Sequence, residues 1–152
     1  MPFRTFAATF IALIALSACT PKFPKPDPED ALVGCWSGED FQPEYQRTVK
    51  SLINRSADGS FHIAFIVNEQ DVLKIEEGQW HRKDGIYTTL TQRVGGRPVD
   101  TRHALYTDVY DIQSLVDDVL TLRHQKADLS FVARRVACTA GSTSPSGTRP
   151  GP

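Results

Sequence analysis

Residues 58–67 read Asp58-Gly59-Ser60-Phe61-His62-Ile63-Ala64-Phe65-Ile66-Val67. Asp-Gly is a strong hairpin signal, because the tightest turns need a backbone that these two residues adopt at low cost. Behind it Phe61, Ile63, Phe65 and Val67 alternate with His62, Ala64, Ile66 and Asn68, the period that separates the two faces of a strand. Upstream, Glu44 to Asn54 sets Tyr45, Val49 and Ile53 on one face, interrupted by Arg47 and Ser51. The turn therefore joins two strands.

The same signals recur outward from this hairpin. Val72 to Trp80 reads as a strand, ended by a second turn at Asp84-Gly85. Ile86 to Val94 follows, rich in the β-branched Thr88, Thr89 and Thr91, and Gly95-Gly96 breaks it. His103 to Leu115 predicts a long strand with Tyr106, Tyr110 and Ile112 on one face. Asp117-Asp118 turns into Val119 to Lys126, and Ala127-Asp128 turns into Leu129 to Val136. With a first strand around Val33 to Gly38, eight strands joined by short links are expected. No ten-residue segment shows a helical period. An eight-stranded antiparallel up-and-down sheet protects its edges best by closing into a barrel. All-β, with one closed barrel over residues 32–138, is the expected fold.

The ends of the chain differ from this middle. Arg4 gives a thin basic start, Phe6 to Leu16 form an apolar run, and Ser17-Ala18 are small residues of the kind a signal peptidase accepts. The run is short for a bilayer span, which takes about 20 residues. Leu16-Ser17-Ala18-Cys19 resembles the lipobox of bacterial lipoproteins. The resemblance implies a signal peptide over residues 1–18, diacylglycerol on Cys19 and an acyl chain such as palmitate on its amine. Two or more chains anchor stably, at roughly 0.8 kcal/mol per buried methylene. Thr20 follows the cysteine where an Asp often marks inner-membrane retention, so the resemblance points to the outer membrane, facing the periplasm. Residues 19–31, with Pro21, Pro24, Pro26 and Pro28, read as an extended tether of roughly 35–40 Å at about 3.1 Å per residue. Residues 139–152 are Ser, Thr, Gly and Pro with Arg149 as the only charge, and read as a disordered tail.

Three cysteines are an odd number for an exported chain. Lipidation of Cys19 leaves Cys35 and Cys138 as a pair, and an oxidising periplasm makes a disulfide the expectation. They stand on the first strand and just beyond the last, which closure makes neighbours. Loss of residues 1–18 removes Arg4 and no acid, leaving 16 basic against 18 acidic residues. That balance gives no electrostatic reason to bind nucleic acid.

Gly34-Cys35-Trp36 and Arg134-Arg135 resemble the Gly-x-Trp of the first strand and the closing arginine of lipocalin-like proteins. The resemblance implies that Trp36 plugs one barrel end under an arginine. Arg134 and Arg135 both qualify, and alternation with Leu129, Phe131 and Ala133 favours Arg135. Trp36, Phe61, Ile63, Phe65, Tyr106, Tyr110 and Phe131 are expected inside. Core packing is the plain role for each; Tyr106, Tyr110, Phe61 and Phe65 are the candidate ligand contacts. Arg93, Arg97 and Arg102 around Gly95-Gly96 form a candidate partner patch, or else a solvated loop.

Chemistry of the chain's own is not expected. His62, His81, His103 and His124 fall on four different strands without ligand spacing, and no Gly-x-Ser-x-Gly elbow occurs. Neighbouring carboxylates such as Glu76-Glu77 and Asp117-Asp118 would point apart in strands and face water in turns. No metal or cofactor is expected. The reading is a non-enzymatic, membrane-anchored interaction module for an envelope protein partner. Alternatives are a carrier of a small apolar ligand or lipid, and an inhibitor of an envelope hydrolase.

Overall fold

The structure, a computed structural model, describes residues 23–42, 46–68 and 71–138. The signal segment 1–18, Cys19 and the tail 139–152 lie outside the described residues. The domain is all-β, with strands β1 (Gly34–Gln42), β2 (Arg47–Arg55), β3 (Ser60–Val67), β4 (Asp71–Lys83), β5 (Ile86–Val94), β6 (Arg97–Pro98), β7 (Thr107–Val116), β8 (Val119–His124) and β9 (Ser130–Val136). Each strand pairs antiparallel with its neighbour, β5 skips the two-residue β6 to reach β7, and β9 returns to β1. Eight strands thus close into a barrel and β6 is an extra edge on β5.

Turn chemistry sets this order. The β2–β3 turn carries Gly59 at φ +88°. Its Asp58 carboxylate accepts from the Ser60 amide and hydroxyl at 2.8 and 2.7 Å, contacts that hold its pKa below the ordinary carboxylate value. Asp84 and Gly85 both have positive φ, as do Asp117 and Asp118, the geometry whose twist matches that of a hairpin. Bulges at Leu73, Gln92 and Gln113 add local twist, which helps eight strands coil shut. Alternation then buries Trp36, Phe61, Trp80, Tyr87, Leu120, Leu122 and Ala133, with Leu32 entering from one end.

Topology gives the barrel two unlike ends. The turns β2–β3, β4–β5 and β7–β8 share one end with the start of β1 and the end of β9. There Cys35 and Cys138 form a disulfide with their Cα atoms 5.2 Å apart. The connections β1–β2, β3–β4, β5–β7 and β8–β9 lie at the other end. We call these the closed and open ends.

Two expectations change. Residues 23–31 are not a free tether, because their few anchoring groups find partners on the closed end. Phe23 packs on His81 with ring centroids 4.4 Å apart, Asp30 pairs with Arg82 at 3.0 Å, and consecutive turns at Asp27–Val33 bring Leu32 inside. The predicted strand from His103 begins only at Thr107. Residues Ala104–Tyr106 form a 3-10 turn, capped by His103 Nδ1 accepting from the Leu105 amide at 3.2 Å.

His81 makes this docked segment sensitive to acid. Its Nδ1 is buried without a hydrogen-bond partner, and its pKa lies below the ordinary imidazole value, first through burial and then through Lys83. The unfolded chain therefore takes up a proton more readily than the folded one. Stability is full above about pH 6.5 and falls as pH drops from there toward the lowered folded value. His81→Leu is expected to flatten the dependence of Tm on pH between about 7.5 and 5. Parallel curves for the variant and the wild type would contradict this assignment.

Candidate functional site

The closed end is built around Trp36, which is 0% exposed and donates from Nε1 to the Leu32 carbonyl at 3.0 Å. Arg135 stands opposite it in the β1–β9 ladder, with its guanidinium 4.3 Å from the Trp36 ring centroid. Nη1 and Nη2 donate to the carbonyls of Val33 and Ala31 at 2.8 and 2.6 Å, and Nε donates to Asp118 at 2.7 Å. One side chain thus ties β9 to the docked segment and to the β7–β8 turn. Gly34 is required beside it: its φ is +119°, and a Cβ there would sit 2.7 Å from Arg135 Nη1. Arg134 points the other way, opposite Ser37, and is exposed.

Inside the barrel lies a charge that the sequence reading missed. Arg55, the last residue of β2, is 2% exposed. Its Nε donates to the Tyr87 hydroxyl at 3.0 Å, and its guanidinium lies 4.6 Å from the Tyr87 centroid and 5.9 Å from that of Trp36. Nη1 is buried without a hydrogen-bond partner, and no carboxylate among the described residues pairs with it. Alternation from Val49 and Ile53 was the available signal, since Arg55 shares their parity.

Tyr110 faces the same interior. Its ring lies 5.6 Å from Tyr87 and 5.9 Å from Phe131, and burial, with Asp108 next, pushes its hydroxyl well above the ordinary tyrosine value. It stays a neutral group at any physiological pH. Phe61 is buried on the same side, while Phe65 is only half-buried and carries the Lys74 ammonium over its ring at 4.6 Å. Tyr106 does not join them, since the 3-10 turn sets it beside His103 at the open end. Asp108 and His124 meet at 3.1 Å, and His124 Nδ1 accepts from the Ala127 amide at 2.9 Å. His124 is therefore a half-buried structural link rather than a solvated surface residue. Glu76 pairs with Lys74 at 2.7 Å.

The three arginines around Gly95-Gly96 are exposed at the open end, but two already hold carboxylates. Arg93 reaches Glu77 at 3.5 Å and Arg102 grips Asp100 at 2.9 Å. Only Arg97 of the three shows no such pair among the described residues. Among the described residues, no group of His, Cys, Asp and Glu comes together to hold a metal ion.

The outer wall carries a different feature. Register aligns Ser37, Leu52, Ala64 and Ile75 in one outward row, and Lys50, Ile66 and Val72 in the next. Leu52 is 37% exposed and Val72 55%, with Leu73 bulging beside it. A half-open concavity of about 500 Å³ lies against this wall, lined by Cys35, Ser37, Leu52, Asn54, His62, Ala64 and Val136 among others. Outward strand positions normally alternate to polar groups, and this contiguous apolar stripe departs from that pattern.

Comparison with protein-family models finds no match, and comparison with curated proteins finds none either.

Proposed function

We propose that this chain is a non-enzymatic envelope lipoprotein whose barrel is a protein-interaction module, with the partner docking on the outer wall of β1–β4. The observation that carries the reading is the outward apolar stripe Leu52–Ala64–Ile75–Ile66–Val72 beside the concavity. Such a stripe has no structural use in a barrel whose core is on the other side of the sheet.

The lipobox-like Leu16-Ser17-Ala18-Cys19 supports an anchor at Cys19 on the periplasmic side of the outer membrane. From Cys19 to the docked Phe23 is four residues, which span at most about 14 Å. The closed end would then sit close to the membrane, and the open end and outer wall would face the periplasm. The Gly34-Cys35-Trp36 and Arg135 arrangement supports a lipocalin-like barrel. An envelope hydrolase is one partner that a rigid docking wall of this kind would suit.

A photoreactive residue at position 52 is expected to capture a partner protein in intact cells, whereas one at the outward Ser114 is not. Val72→Asp, on the same stripe, should reduce the position-52 adduct at least about five-fold without lowering Tm, the loss expected for a charge buried in an apolar contact. Equal adduct from positions 52 and 114 would retire the reading. One observation favours a carrier as well, the partnerless nitrogen of Arg55.

A further inference from the structure

Residues 23–33 dock on the closed end in two parts of unequal strength. The inner part is held from several sides. Leu32 is 0% exposed, Asp30 pairs with Arg82, Arg135 donates to the carbonyls of Ala31 and Val33, and the Trp36 indole donates to that of Leu32. The outer part, residues 23–29, has far less. Only Phe23 and Pro26 are half-buried there, and the others are exposed. Pro26 lies over Gly59 of the β2–β3 turn, the Phe23 amide donates to Gln79 Oε1 at a long 3.4 Å, and the Phe23 ring covers His81. We propose that residues 23–29 form an acid-released strap, docked on β4 at neutral pH and freed by protonation of His81, with Asp30 as the hinge. This goes beyond the effect of His81 on stability, because the barrel stays folded and only its link to Cys19 changes length.

The docked site suits a neutral imidazole. Its Nδ1 is buried without a partner; the neutral ring can leave a bare lone pair there, but the charged ring must carry a hydrogen with no acceptor. From β4, Lys83 faces the ring and repels a second positive charge. From β5 the ladder neighbour is the neutral Thr88. The strap contributes Phe23 and, farther along, Lys25; the β2–β3 turn contributes Asp58, on which Ser60 and Lys25 already act. Arg82 alternates to the other face and is held by Asp30. Among the described residues no carboxylate pairs with His81. The attraction of an imidazolium for the Phe23 ring is weaker than the penalty of a buried donor without an acceptor, so the ring leaves. The length change, unlike the release itself, rests on the reading of Cys19 as an anchor. Release lengthens the free link from four residues to eleven, and Pro24, Pro26 and Pro28 favour an extended form. The reach grows from at most about 14 Å to about 34 Å, at about 3.1 Å per residue. Acid thereby carries the barrel farther from the membrane.

The test places para-fluorophenylalanine at position 23 of the full mature chain in detergent and follows docked and free signals by fluorine NMR. Between about pH 7.5 and about pH 5 the ratio of free to docked strap is expected to rise roughly five- to thirty-fold, the upper figure being the ceiling that one ordinary imidazole allows. In His81→Gln the ratio should stay constant within about two-fold. If that variant does not fold, Lys83→Gln carries the test. Without the like charge a docked imidazolium is less disfavoured, and the rise should shrink to about half or less. A rise below about two-fold in the wild type, or an undiminished rise in the folded variant, would overturn the proposal. Energy transfer from the tryptophans to dansyl-labelled head groups in phosphatidylcholine vesicles reads the tether separately, and should fall at acid pH in the wild type but not in His81→Gln. Release without that fall would overturn the anchor at Cys19 and leave the strap standing.

Discussion

Replacing Cys35 and Cys138 together with serine is expected to lower the unfolding free energy by about 3–4 kcal/mol and Tm by roughly 10–20 °C. The two residues are 103 apart in sequence, so the bridge removes most of the loop-closure entropy of the unfolded chain. It also sits at a weak place in the fold. The β1–β9 seam that closes the barrel has only four paired positions, Cys35↔Val136 to Gly38↔Ala133, against nine between β1 and β2. The serine variant should therefore open there first, with amide exchange rising in β1 and β9 before it rises in β3 or β5. Melting within about 2 °C of the wild type, or uniform exchange, would show that the seam holds without its bridge.

That seam was legible in advance because three local signals agreed. Positive-φ turn residues at Gly59 and at Asp84-Gly85, strict alternation in Phe61–Val67 and the β-branched run in Ile86–Val94 all required short antiparallel strands. Such information is local, and backbone sterics enforce it whatever lies nearby. What misled or stayed hidden depended on distant partners. Tyr106 has the parity of Tyr110, but the His103 cap and the turn it stabilises take it out of the ladder. Residues 23–31 have the composition of a linker, yet Phe23, Asp30 and Leu32 suffice to hold them because His81, Arg82 and the Trp36 indole wait on the barrel. Arg55 falls one residue past the expected strand end at Asn54, and only the parity it shares with Val49 and Ile53 points it inward. The outward stripe was equally hidden: Ile66 and Ala64 fell on the reverse face of the alternation, but their neighbours Leu52, Ile75 and Val72 are set by register, which sequence pattern alone leaves open.

Trp36→Ala is expected to cost about 3–5 kcal/mol, the range for removing a large aromatic group from a fully buried site. Its neighbour Arg135 allows the contributions at the closed end to be separated. Asp118 and Arg135 are 69% and 32% exposed at their side chains, so their ion pair should contribute under about 1 kcal/mol, and Asp118→Asn should be nearly silent. The half-buried carbonyl bond to Val33 and the cover over Trp36 are less exposed to screening and, with the bond to Ala31, should carry most of the effect. Arg135→Lys keeps the charge but lacks the planar fork, and should therefore lose nearly as much stability as Arg135→Ala, about 2 kcal/mol. Because the indole and the guanidinium share one contact, the double replacement should cost about 1 kcal/mol less than the two single ones added. Strict additivity in that cycle, or a lysine that substitutes without loss, would mean that charge rather than shape and hydrogen bonding closes this end of the barrel.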